Sequence, residues 1–145
     1  MGKFKVITEE KATKHLTRES IITSIKITVS TSDVVFAGTD AKVSLSCGSL
    51  GVYHLNTSGE DDFEMGDTRS YTFETNFTLD EFRKVNLSLG HDNTGKSPGW
   101  CVSQVSIHIS LQGSNLIYLY KHWDEIGWLA LDKGPFYATG VELQV

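Results

Sequence analysis

From residue 24 onward, apolar side chains fall at every second position in short runs, and turn residues interrupt the runs at intervals of about 8 to 12 residues. A strand turns successive side chains to opposite faces, so each run has one dry face and one wet face. Ile25, Ile27 and Val29 alternate with Lys26 and Thr28; Val43, Leu45 and Cys47 alternate with Ser44 and Ser46; Tyr71 and Phe73 alternate with Thr72 and Glu74. Val85, Leu87 and Leu89 repeat the pattern, as do Val105, Ile107 and Ile109, with Ile117 and Leu119 and then Val141, Leu143 and Val145 closing it. The breaks carry turn chemistry at Ala37-Gly38-Thr39-Asp40, at residues 57–62 and 90–95, at Pro98-Gly99 and at Gly113-Ser114-Asn115. This predicts an all-β, antiparallel sandwich of about seven or eight strands. One helical turn is expected over residues 78–83, and a short helix is an option over residues 8–20, which carry no convincing apolar stripe. The predicted organisation is an N-terminal arm over 1–22, a short helix or disordered, followed by one sandwich domain over 23–145.

A chain of 145 residues with 39% hydrophobic and 21% charged residues has enough apolar content for one core. Its longest apolar runs, Val34-Val35-Phe36-Ala37 and Trp128-Leu129-Ala130-Leu131, are far shorter than the roughly 20 residues of a spanning helix. The formal charge is −5. In the first twenty residues Lys3, Lys5, Lys11, Lys14 and Arg18 stand against Glu9, Glu10 and Glu19, so this segment is +2 and the remainder −7. That balance offers no nucleic-acid surface and falls short of a polybasic lipid anchor. The N-terminus shows neither an apolar signal core nor a myristoylation pattern, which points to a cytoplasmic chain or an excised module; three Asn-x-Ser/Thr triplets leave secretion open. Cys47 and Cys101 lie in strand-like runs and are expected as free core thiols. His15, His54, His91, His108 and His122 make no zinc-helix spacing, and the chain has no Walker loop or Cys-x-x-Cys pair. No catalytic residue is expected.

Four ordered patterns then resemble the PLAT (lipoxygenase-homology) domain family. Ala37-Gly38-Thr39-Asp40-Ala41 is similar to its "AGTDA" segment. Asp61-Asp62-Phe63-Glu64-Met65-Gly66 is similar to "NDFERG", with Asp61 in place of Asn and Met65 in place of Arg. Gly90-His91-Asp92-Asn93-Thr94-Gly95 followed by Pro98-Gly99-Trp100 resembles "HDNSG...PGW", and Trp128-Leu129-Ala130 resembles the closing "WLA". The resemblance spans residues 24–145 and implies an eight-stranded antiparallel β-sandwich, non-catalytic, that docks on membranes or partner proteins.

It also implies a calcium site in the end loops: Gly38 and Thr39 through backbone oxygens, Asp40 through its carboxylate, and Ser58, Glu60 and Asp62 from the second loop, with Asp62 the strongest ligand. Loop carboxylates of this number give affinities on the order of 10⁻⁵ to 10⁻³ M. Asp40 and Asp62 equally suit turn caps that accept backbone N–H bonds without any metal. A second site at Asp92 is disfavoured because Phe36 stands where calcium-binding relatives place a carboxylate. Val34, Val35 and Phe36 interrupt a loop where polar residues are usual, and either enter lipid or fold back over the sandwich end. Trp100 and Trp128 suit core packing, while Tyr118, Tyr120, His122 and Trp123 suggest an interface. The expected function is a membrane- or lipid-targeting module, peripheral at membranes, with weak calcium binding; the alternative is a protein-interaction module of the same fold in which calcium has no role.

Overall fold

The computed structural model describes residues 4–6, 17, 19–56, 62–96 and 98–143. The strands are β1 (Phe4–Val6), β2 (Ile21–Thr31), β3 (Val43–Ser46), β4 (Val52–Leu55), β5 (Thr68–Thr78), β6 (Leu87–His91), β7 (Trp100–Leu111), β8 (Ile117–Leu129) and β9 (Gly140–Leu143). They form a five-stranded sheet of order β1-β8-β7-β2-β5 and a four-stranded sheet of order β4-β3-β6-β9. The pairings of β2 through β9 are antiparallel, as the alternating runs require, and the three-residue β1 adds in parallel at the edge beside β8. The expected helix over residues 8–20 falls largely outside the described residues.

The core lies where the inner faces meet. Ile25, Ile27 and Val29 of β2 and Val105, Ile107 and Ile109 of β7 are buried on one sheet; Val43, Leu45, Leu87 and Leu89 are buried on the other. Helix α1 (Leu79–Lys84) closes one end. It is started by a capping box in which Glu81 N–H donates to Thr78 Oγ1 at 3.1 Å and Thr78 N–H donates to Glu81 Oε1 at 2.9 Å. This seats Phe82 with its ring centroid 5.3 Å from Phe77 and 4.7 Å from Tyr120. A phenyl group in such a site contributes about 3–5 kcal/mol relative to alanine. Trp100 plugs the other end, fully buried, with Nε1–H donating to Thr31 Oγ1 at 2.9 Å. Cys47 and Cys101 are buried free thiols, and burial pushes the Cys47 thiol up to about 12.

The phase of β8 differs from the reading of Ile117 and Leu119 as its inward pair. Tyr118 and Tyr120 face the core and Ile117 and Leu119 are half-buried outside. The register explains the inversion: Tyr118 pairs with buried Ile109, and a bulge after Ile107 sets Leu119 opposite His108 on the outer face. Strand β4 is an edge on which Leu55 is buried and Tyr53 half-buried but the apolar Val52 is exposed, so apolar type does not follow burial there.

Candidate functional site at the loop end

The end opposite α1 gathers the β2–β3 loop, the segment before β5, the turn before β7 and the connection after β8. Backbone hydrogen bonds lock these loops together. Cys101 N–H donates to Ala37 O at 2.9 Å, Thr39 N–H to Phe63 O at 3.2 Å, Gly66 N–H to Ser32 O at 3.2 Å and Asp92 N–H to Lys42 O at 3.0 Å. Gly38 is required here because an added Cβ would stand 2.9 Å from Phe63 O, closer than a carbon and an oxygen can pack. Thr39, nearly fully buried, is a crosslink: its hydroxyl donates to Pro98 O at 2.6 Å and accepts from Ala41 N–H at 3.1 Å.

On this platform the apolar tip projects outward. Ala37 N–H donates to Val34 O at 3.1 Å, closing a turn whose corner holds Val35 and Phe36, while Ala37 itself is buried. Val34 is 47% exposed, Val35 69% and Phe36 84%, so none of the three folds back over the sandwich. Phe36 sits at φ 65°, a backbone region that crowds an L side chain and marks strain. Two tips that sequence reading missed stand with them, Met65 at 52% and Leu131 at 59% exposure. Phe36, Met65 and Leu131 line a groove of 670 Å³ with Trp128, whose ring carries Lys133 Nζ at 5.0 Å from its centroid. Met65 had a signal available, as an apolar residue standing where the resembled pattern has Arg; Leu131 had only its place after Trp128-Leu129-Ala130.

The residues expected to hold calcium divide. Thr39, Asp40 and Asp62 line one cavity of 600 Å³. Ser58 and Glu60 lie outside the described residues. Asp40 is exposed, and Gly95 packs so tightly on it that a Cβ there would lie 2.8 Å from the Asp40 Cβ. Asp62, with its side chain only 5% exposed, is already committed: Tyr71 donates its hydroxyl to Oδ2 at 2.7 Å, and Arg69 Nη1 stands 3.3 Å from Oδ1. The same guanidinium donates through Nε to Asp67 Oδ2 at 2.7 Å. Six to eight oxygens make a calcium cage. Of the expected set, the described members are Gly38, Thr39, Asp40 and Asp62, and Asp62 is already paired with Arg69. Among the described residues no group of three or more His, Cys, Asp or Glu side chains is placed to hold a metal ion.

Asp92 acts as a turn cap, accepting from Lys42 N–H at 3.0 Å, Thr94 N–H at 3.1 Å and the Thr94 hydroxyl at 2.5 Å; the hydroxyl contact is the main reason its carboxyl lies below the usual range. His91 is buried and bonded at both nitrogens. Its Nδ1 accepts from Asn93 N–H at 3.0 Å, so Nε2 carries the hydrogen donated to Leu129 O at 2.7 Å.

Away from this end, Ser106 Oγ meets His122 Nδ1 at 2.6 Å and His122 Nε2 meets Asp124 Oδ1 at 2.8 Å on the outer face of the five-stranded sheet. These are the residue types of a hydrolytic triad. The neighbouring backbone N–H groups belong to the β7–β8 pairing instead of forming a pocket for a developing oxyanion, and His122 and Asp124 face water. The expected interface at residues 118–123 is reduced in the same region, since Tyr118 and Tyr120 belong to the core.

The PLAT/LH2 domain model matches residues 25–123. Lipoxygenase homology domain-containing protein 1 of Homo sapiens is 34% identical over 107 residues, and its Mus musculus counterpart 31%; the match takes in 70% of this chain and 5% of either relative. Among solved structures, the alpha toxin of Clostridium absonum superposes with a TM-score of 0.64 at 18% identity, covering 88% of this chain and 32% of the toxin. Coral 8R-lipoxygenase superposes with a TM-score of 0.57 at 22% identity, covering 82% of this chain and 16% of the enzyme. At these identities the structural matches speak for the sandwich fold alone.

Proposed function

Because the chain belongs to the PLAT/LH2 domain family, we propose that it is a non-catalytic module that docks peripherally on a phospholipid membrane surface through the Val34-Val35-Phe36 tip. The carrying observation is the tip itself: consecutive apolar side chains held outward by a strained turn, on a loop end locked by backbone hydrogen bonds. An apolar patch in water costs free energy unless something covers it. Burying each such side chain in lipid contributes roughly 1.5–3 kcal/mol before the entropy lost on docking is subtracted, a total that suits reversible binding. Met65 and Leu131 widen the contact, and the groove between them gives a headgroup room beside Trp128 and Lys133.

The coral 8R-lipoxygenase structure is described as showing calcium activation via a C2-like domain. For this chain the calcium expectation rests on Asp40 and on the second loop, and the Arg69 contact to Asp62 weighs against it. The buried, unbridged Cys47 and Cys101 support a reducing, cytoplasmic setting for the docked domain.

The test is co-sedimentation with phosphatidylcholine vesicles, comparing the wild type with a variant in which Val34, Val35 and Phe36 are all changed to Ser. Pelleting of the wild type and its loss in the variant, with an unchanged melting temperature, is the expected outcome. Equal pelleting of both would rule out the tip. Absence of pelleting, together with capture by a membrane-protein partner through the same residues, would favour the protein-interaction reading.

A further inference from the structure

The 62–67 segment carries the Met65 tip, and ring packing, backbone hydrogen bonds and charged contacts fix it. Phe63 is buried at φ 64°, its ring 5.0 Å from Trp100 and 5.8 Å from Tyr71 by centroid, which pins the segment into the core next to Asp62. Asp67 N–H donates to Glu64 O at 2.9 Å, and Thr31 N–H donates to Asp67 O at 2.8 Å, which closes the turn against β2. Between these two anchors, Arg69 reaches back from β5 to both carboxylates, Asp62 at 3.3 Å and Asp67 at 2.7 Å, while the Tyr71 hydroxyl takes the other oxygen of Asp62 at 2.7 Å. A divalent cation in an oxygen-lined loop does the same two things: it neutralises clustered carboxylates and ties distant parts of the loop to one point.

From this geometry we infer that Arg69 is a built-in cation for the docking end, holding the 62–67 segment in its docking conformation so that calcium is not needed to set it. The guanidinium is suited to this because it is charged at every accessible pH and its fork lets Nε donate to Asp67 while Nη1 stands at ion-pair distance, 3.3 Å, from Asp62. Its side chain is 26% exposed and that of Asp62 only 5%, so the pair is shielded on the Asp62 side, where water would otherwise compete. A calcium ion entering the 600 Å³ cavity would meet Asp62 already compensated and would have to displace a tethered charge to use it. This assignment rests on the docking reading and specifies its regulation: membrane binding that is constitutive with respect to calcium.

Thermal melts and phosphatidylcholine vesicle pelleting, each run in EGTA and in about 1 mM calcium, near the weak end of loop-site affinities, test it. The wild type is expected to give the same melting temperature and the same pelleting in both buffers. Arg69→Gln leaves two neighbouring carboxylates uncompensated; its melting temperature in EGTA should fall by on the order of 10 °C, as for breaking a largely buried ion pair, and calcium should restore part of the loss. Arg69→Lys keeps the charge and should stay insensitive to calcium. A wild-type melting temperature raised by calcium, with the rise abolished in Asp62→Asn, would overturn the inference, as would a folded Arg69→Gln protein indifferent to calcium. If the Gln variant does not fold, the wild-type and Asp62→Asn melts still decide. Vesicle pelleting absent in every condition would sink the docking reading alone, because the melts contain no lipid.

Discussion

Phe36 holds φ at 65°, where its Cβ crowds the backbone at a cost of about 1–3 kcal/mol. A glycine reaches this region without that crowding. Phe36→Gly is therefore expected to raise stability by about 1 kcal/mol, read from urea unfolding, while weakening vesicle pelleting. A variant that is both less stable and undiminished in pelleting would mean that the ring packs on the protein instead of projecting from it. The same residue marks how far single residues could be read in the sequence. An apolar run inside a polar loop is visible in one dimension, and Val34, Val35 and Phe36 stand exposed as that reading allowed. Asp62 shows the opposite case. Its side chain announces an oxygen donor, but whether that donor serves an ion or is already bonded depends on Arg69 and Tyr71, brought in by strand pairing. No local pattern carries that information.

At the scale of strands, alternation predicted most of the sandwich because burial on one face imposes a period of two on the sequence. It failed where that imposition lapses. Strand β4, at an edge, buries little, and β8 carries apolar residues on both faces, so Ile117 and Leu119 compete with Tyr118 and Tyr120 and only the bulge opposite Ile107 decides between them. That bulge also sets the surroundings of His108 on the outer face. Burial first, then Lys26 across on β2 and His122 on β8, hold its pKa below the usual value; Asp124, bonded to His122, faces water. A histidine depressed in the folded state binds its proton more readily when unfolded, so it costs nothing well above about pH 6.5 and destabilises as pH falls below that value. The melting temperature should drop between about pH 7 and pH 5, and His108→Gln should shallow the drop. Identical pH profiles for the two proteins would show that His108 is not the group responsible.

For the molecule as a whole, the proposed docking sets charge against the apolar tip, and that opposition makes the lipid composition a test of it. The chain carries −5, and the groove beside the apolar tip is lined by Asp40, Glu64 and Asp132 against Lys133. Insertion of the tip would bring these carboxylates down to the headgroup layer, where an anionic leaflet repels them and a zwitterionic one does not. Each charge near an anionic surface is worth about 1 kcal/mol when attractive, so two net negative charges held at partial depth should weaken binding to phosphatidylserine-rich vesicles by on the order of tenfold relative to phosphatidylcholine. The penalty is Coulombic and is screened over a Debye length of roughly 10 Å at 0.1 M salt and about 3 Å at 1 M. Raising the salt in a calcium-free buffer should therefore strengthen binding to anionic vesicles until it approaches the neutral value, whereas binding to phosphatidylcholine, driven by apolar burial, should hold or rise slightly. A polybasic anchor gives the reverse, losing anionic binding as salt rises. Co-sedimentation across a salt series on the two lipid compositions separates the two: if salt releases the protein from anionic vesicles, docking proceeds through the basic N-terminal segment, and the apolar tip is not what holds it there.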